Sequence, residues 1–141
     1  LDPIIKIQKK AIRVICKETY FAHTGPLFKK HEILPVEKQI EYSSLLFMHD
    51  YLSEKLSPSF MHTWIRNNHL QNNYVLRNEN NLHIQPHRYE YLKRHPFLNF
   101  ANLWNNLSQD LKEIESRQIF SRKLKEKLLL YIGAKPQHQY F

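Results

Sequence analysis

The chain has 141 residues, the size of one domain, and at that length folding buries roughly two-thirds of the surface the unfolded chain exposes. Apolar residues make up 42%, with eight Phe, eight Tyr and two Trp, which excludes wholesale disorder; only two Gly argue against an all-β domain with many tight turns. Lys and Arg number 21 against 13 Asp and Glu, a net charge of +8 and a pI near 9.6, so a polyanionic partner and a merely solvated basic surface are the two readings of the charge.

From Pro3 to Lys17 the pattern predicts an amphipathic helix capped by Asp2, with Ile4, Ile7 or Gln8, Ala11, Ile12 and Ile15 as its apolar stripe. Lys6, Lys10, Arg13 and Lys17 recur at three- or four-residue spacing, so with Lys9 they form a cationic ridge off that stripe. A turn follows, then a short helix with Thr24 as cap, Pro26 in the first turn, and Leu27 and Phe28 entering the core. Pro35 opens the longest helix of the first half, with Val36, Ile40, Ser43 or Ser44, Phe47 and Tyr51 along one face. Ser57 and Pro58 repeat the cap-then-proline signal and predict a short helix through Phe60, Met61 and Trp64.

Between Arg66 and Asn81 seven Asn and no apolar periodicity predict a loop, which reads either as a contact strip for nucleic acid or as an ordinary polar insertion. The following aromatic stretch permits short strands at LHI and YEYL. Ser108 to Glu115 predicts a short helix. Ser116 to Ile132 predicts a longer one, ended by Gly133, with Ile119, Phe120, Leu124, Leu128 and Tyr131 apolar and Arg117, Arg122, Lys123, Lys125 and Lys127 mainly outside them. The expected fold is therefore mainly α, a compact bundle of about five or six helices with an irregular Asn-rich middle in which short strands are permitted. It forms one domain, divided into an N-terminal helical segment (1–65), an irregular connector (66–103), a C-terminal helical segment (104–135) and a frayed tail (136–141).

Several chemistries lack their residues. Gly25 and Gly133 build neither a phosphate loop nor a dinucleotide fingerprint, and no Asp-Asp pair offers the carboxylates of a two-metal polymerase site. His83 and His87 are four apart with Pro86 between them, which spoils a helical ligand pair, and Cys16 has neither a base nor a second cysteine marked for it. We expect Cys16 to be a small core residue and Asp110, Glu113 and Glu115 to be helix charges rather than an acid and base. No catalytic residue, metal, cofactor or small-molecule substrate is expected. No membrane partner is expected either, because no run reaches the roughly 18 apolar residues of a span.

Cationic ridges near both ends of the chain, with Trp64, Tyr74, Tyr89, Tyr91 and Trp104 between them, are the mixture a sequence-tolerant nucleic-acid binder uses: cations track phosphates and aromatic faces stack bases. For Trp104 and most of the Phe residues, core packing is the stronger expectation. The candidate contacts are Lys6, Lys9, Lys10, Arg13, Lys17, Arg77, Arg122, Lys123 and Lys127.

The ordered strings IQKKAIRVIC, AHTGPLFKKHEIL, LLFMHDYLSEKLSPSF, NNYVLR, LWNNLSQDLKEIES and IFSRKLKEKLL cover nearly the whole chain. Together they resemble the region after the polymerase thumb in non-LTR retrotransposon reverse transcriptases of animals. Gln8, Lys9, Lys10, Ala11, Ile12 and Arg13 match the family's basic helix; His23, Thr24, Pro26, Leu27 and Phe28 match its next element, and Trp104, Asn105 and Leu107 match its Trp-Asn-x-Leu element. Departures occur at residues 73–77, at Asn99 in place of a glycine and at Ser108 in place of a proline. The resemblance implies a non-catalytic accessory domain that holds RNA, DNA or their hybrid during target-primed reverse transcription. It would belong to a longer RNA-directed DNA polymerase, intracellular, and nuclear and cytoplasmic where the element is active; a first residue other than Met also suggests a piece of a longer chain. The alternative is an interaction module that packs on the polymerase; it predicts an exposed apolar patch.

Overall fold

The computed structural model describes residues 1–60, 63–67, 81–84 and 95–132. Within them the chain is mainly helical. The helices are α1 (Asp2–Ile15), α2 (Thr24–Lys30), α3 (Val36–Leu52), α4 (Pro96–Asn105), α5 (Gln109–Lys112) and α6 (Arg117–Leu130), with one 3-10 turn at Pro58–Phe60. Two compact units divide the chain: Leu1–Ser43 with Gln118–Tyr140, and Ser44–Arg117 with the final Phe141. The grouping cuts across the segments drawn from composition, because the two ends of the chain share the first unit and the middle forms the second.

In the first unit, Ile12, Leu27, Phe28 and Ile132 form a buried cluster, against which Cys16 and Leu129 pack. Cys16 thus packs against the core as expected but is half-buried where full burial was expected. The buried face of α1 differs from the predicted stripe. Of that stripe Ile12 is buried and Gln8, the stated alternative to Ile7, is half-buried, as is Ile5 outside it, while Ile4, Ile7, Ala11 and Ile15 are exposed. The cause is Gln8. Its Nε2 donates to the Leu34 carbonyl at 3.1 Å and its Oε1 accepts from the Val36 N–H at 2.9 Å. That amide fork satisfies an orphan donor in the first turn of α3, just after Pro35, and rotates α1 so that Gln8 rather than Ile7 faces inward. In α6 the spine Phe120, Leu124 and Leu128 is buried as predicted, but Ile119 and Tyr131 are exposed. Tyr42 and Ser121 share a hydroxyl hydrogen bond of 2.7 Å between α3 and α6, and Lys29 donates to the Leu130 carbonyl at the end of α6 at 3.2 Å.

The second unit is built around Trp64. Of the short helix predicted through Phe60, Met61 and Trp64, Phe60 ends a 3-10 turn at Pro58–Phe60 and Trp64 lies in a bend, while Met61 falls outside the described residues. Trp64 is 9% exposed, stacks on Phe97 with ring centroids 5.2 Å apart, and donates its Nε1–H to the Phe97 carbonyl at 2.7 Å. Tyr51 closes the other side: its hydroxyl donates to the Trp64 carbonyl and accepts from the Trp64 N–H. On α3 the buried residues in this unit are Ser44, Leu45, Met48 and His49, so the predicted face through Phe47 and Tyr51 is turned by about one residue. His49 donates from Nε2 to the Ile114 carbonyl at 2.8 Å, and Asp50 receives the Arg117 Nε–H at 2.9 Å from each carboxylate oxygen.

Helix α4 begins at Pro96, inside the stretch 66–103 read as irregular. Its cap is His95, whose Nδ1 accepts from the Phe97 N–H at 3.3 Å, and Leu98, Ala101 and Trp104 form its buried face. Near the Asn-rich segment, Arg66 and Leu82 form an isolated antiparallel bridge, flanked by Asn67 N–H to Asn81 and His83 N–H to Ile65. Among the described residues this bridge stands where the LHI strand was expected. The proposed YEYL strand lies outside them. Asn105 completes the bridge from α4 by donating to the Leu82 carbonyl and accepting from the Leu82 N–H, both at 2.9 Å.

Candidate nucleic-acid interface

The charge is unevenly distributed between the units. Residues 1–43 and 118–140 hold 13 Lys and Arg against six Asp and Glu, whereas residues 44–117 hold eight against seven, so seven of the eight net positive charges belong to the first unit. A polyanion binding this chain is therefore drawn to the first unit before any local contact forms.

Within that unit, α1 carries the densest run. Lys6, Lys9 and Lys10 are exposed, and Lys6 and Lys10 stand one turn apart, about 6 Å along the axis. Arg13 shares their side of the helix but serves differently. It is half-buried, its Nε–H donates to the Ala22 carbonyl at 2.9 Å, its Nη1–H reaches the Lys9 carbonyl at 3.4 Å, and its guanidinium lies 5.8 Å from the Tyr20 ring centroid. Arg13 thus fastens the turn 20–22 to the helix rather than standing out as a phosphate contact. Lys17 is exposed but lies past the end of α1 with a φ of 53°, so helical spacing does not place it on the ridge as the sequence pattern implied.

The turn that Arg13 fastens presents two aromatic side chains that sequence reasoning missed. Tyr20 is 68% exposed and Phe21 87%, with their rings edge to face at 5.4 Å. Large exposed aromatics beside cations are the components of a base-stacking platform. The signal was present in the string Thr19-Tyr20-Phe21, an aromatic pair directly after a basic helix in a turn too short to bury both rings. By contrast, Trp64 and Trp104, grouped by their sequence positions with the possible stacking residues, are buried in the second unit, so neither offers a free face to a base. Tyr74, Tyr89, Tyr91 and Arg77 lie outside the described residues.

The second predicted ridge is weaker than its sequence suggests. Arg122 and Lys123 are exposed on α6, but Ile119, Glu126 and Leu130 share that outward side, and Lys127 is half-buried. Lys29 and Lys30 at the end of α2 are exposed cations of the same unit that the sequence pattern did not single out. Among the described residues no three His, Cys, Asp or Glu side chains are grouped to hold a metal ion. His83 is half-buried and His87 lies outside the described residues. Of the carboxylates considered as an acid–base pair, Glu113 accepts from the Gln109 side chain on α5 at 3.0 Å and Asp110 lies in the first turn of that helix.

No family model, curated protein or solved structure matches the chain. No helix among the described residues is long and apolar enough to cross a membrane. Burial holds the Lys112 ammonium below its ordinary pKa of 10.5, while that ammonium donates to the Asn105 carbonyl at the end of α4 at 3.0 Å. That lysine caps a helix in the second unit and has no role in the candidate surface.

Proposed function

We propose that this chain is a non-catalytic nucleic-acid-binding module whose first unit holds single-stranded RNA, single-stranded DNA or an RNA–DNA hybrid. The carrying observation is the concentration of positive charge there, together with the exposed Tyr20–Phe21 pair that Arg13 anchors to the cationic side of α1. Lys6, Lys9 and Lys10 supply phosphate contacts, Lys29 and Lys30 extend the positive field, and Tyr20 and Phe21 receive bases. Arg122, Lys123 and Lys127 add charge from α6, and Arg77 stands as a proposed contact from the sequence alone.

The ordered sequence strings support placing this module in a longer reverse transcriptase of the non-LTR retrotransposon kind, where it would hold template, primer or their hybrid in the nucleus and cytoplasm while the rest of the parent protein polymerises. A second reading, an interaction module, has its own support in the exposed apolar residues of α1. Backbone-amide NMR of the whole chain titrated with a short single-stranded RNA tests the leading reading. Shifts grouped at residues 6–22 are the expected outcome; an undisturbed spectrum, or shifts confined to 44–117, would defeat it.

A further inference from the structure

Turning α1 on Gln8 leaves a second feature that phosphate binding does not use. Ile4, Ile7, Ala11 and Val14 are all exposed, with Ile7 at 66% and Val14 at 76%. Their spacing of three, four and three residues is the a–d–a–d repeat of a coiled-coil seam, carried through two heptads. In that register the buried Ile12 and half-buried Ile5 fall at b positions and face their own unit, while Gln8 at the e position marks the border between the seam and the core-facing side. Lys10 falls at the g position flanking the seam, with Lys6 one turn before it.

We propose that the outward face of α1 docks an acidic amphipathic helix of another protein segment, with apolar residues meeting Ile4, Ile7, Ala11 and Val14 and a carboxylate meeting Lys10. Phosphates gain nothing from isoleucine and valine, so a nucleic acid bound at the lysines leaves the seam uncovered. A second copy of this chain fits poorly. Antiparallel pairing sets Lys10 against Lys10, and parallel pairing sets it against Ile15, so neither supplies a carboxylate. An acidic partner satisfies the apolar seam and Lys10 at its flank at once, and charge at that flanking position selects it.

The test uses the whole chain and two synthetic three-heptad helices with leucine at every a and d position, one carrying Glu at e and g and the other Lys. Vesicles of phosphatidylcholine and phosphatidylserine form a third arm. The Glu helix binds in preference to the Lys helix, with amide shifts confined to α1. Ile7→Gln and Val14→Gln each weaken it about tenfold, while Lys10→Glu turns the preference toward the Lys helix. Because these positions are exposed, far-UV circular dichroism of the variants stays that of the parent. Ile7→Gln and Val14→Gln also leave affinity for single-stranded RNA unchanged, so the fate of this seam is read apart from that of the proposed nucleic-acid surface. Equal binding of both helices, indifference to Ile7→Gln and Val14→Gln, or binding to the vesicles instead would each overturn the proposal.

Discussion

Three helices end in the same unusual way, and the ending gives a prediction that stands apart from function. Lys17, Glu32 and Glu54 each follow a helix C-cap with φ of 53°, 52° and 55°, the left-handed conformation. Each is closed by the paired hydrogen bonds of a Schellman motif: Glu18 N–H to Arg13 with Lys17 N–H to Val14, Ile33 to Phe28 with Glu32 to Lys29, and Lys55 to Asp50 with Glu54 to Tyr51. A non-glycine residue in that conformation costs roughly 1–2 kcal/mol, and glycine gives back about 0.5–1 kcal/mol through its freer unfolded chain, so glycine at each site gains about 0.5–1 kcal/mol net. Glu32 and Glu54 add an unfavourable negative charge at a helix C-terminus whereas the charge of Lys17 is favourable there, so Glu32→Gly and Glu54→Gly stabilise more than Lys17→Gly. The three motifs share no hydrogen bond, so their gains should add. Urea unfolding followed by circular dichroism reads the effect as a higher midpoint at unchanged slope, and each substitution raises Tm by about 2–4 °C. Glu32→Ala and Glu54→Ala separate the causes, because alanine removes the charge and keeps the backbone penalty. Equal gains from alanine and glycine, or a loss on introducing glycine, would refute the backbone argument.

Gly25 poses the converse case: it lies in the first turn of α2 directly before Pro26, so although an added Cβ meets Ile132 Cγ2 at an ordinary 3.9 Å, it also meets the proline ring in helical backbone, and Gly25→Ala should lower stability in the same melts. Asn105→Ala strips both polar groups of buried Leu82 of their partner and should cost about 2–4 kcal/mol, with faster amide exchange at Leu82 as its local sign. Lys112 gives a pH effect of fixed sign. Its folded pKa lies below the unfolded 10.5, so between the two the unfolded chain binds more protons, and the stability of the parent relative to Lys112→Met should rise with pH across that window. Phe21→Ala removes a ring that is 87% exposed; stability should not change, while affinity for single-stranded RNA falls by about 1–3 kcal/mol in an anisotropy titration.

The helices were legible where their signals were local. Pro26 with Leu27 and Phe28, and the spacing of Phe120, Leu124 and Leu128, located α2 and α6 and their buried residues. Helix ends were harder to read, because the chain stops three helices on Lys17, Glu32 and Glu54 instead of the glycine that marks a C-cap. Helix α4 was missed because His95 is not among the usual capping residues and the aromatic run around Pro96 hid the spacing of Leu98, Ala101 and Trp104. The buried face of α1 depended on a partner far along the chain: a glutamine faces inward when it finds a carbonyl and an N–H, and those belong to Leu34 and Val36. Of the candidate surface, the sequence showed the lysines of α1 but not the use of Arg13, whose role follows from the fold of the turn behind it.

The first unit is proposed to bind nucleic acid through its positive charge. Fluorescence anisotropy of labelled single-stranded RNA, single-stranded DNA and hybrid duplex, titrated with the whole chain across a range of salt, tests it most directly. Micromolar or tighter binding at low salt and a salt slope of several phosphates are the expected result. Lys6→Glu, Lys9→Glu and Lys10→Glu together should lower affinity and slope, while Lys55→Glu in the second unit leaves both unchanged. Absence of binding at low salt by the folded chain, or equal loss from the Lys55→Glu control, would contradict it.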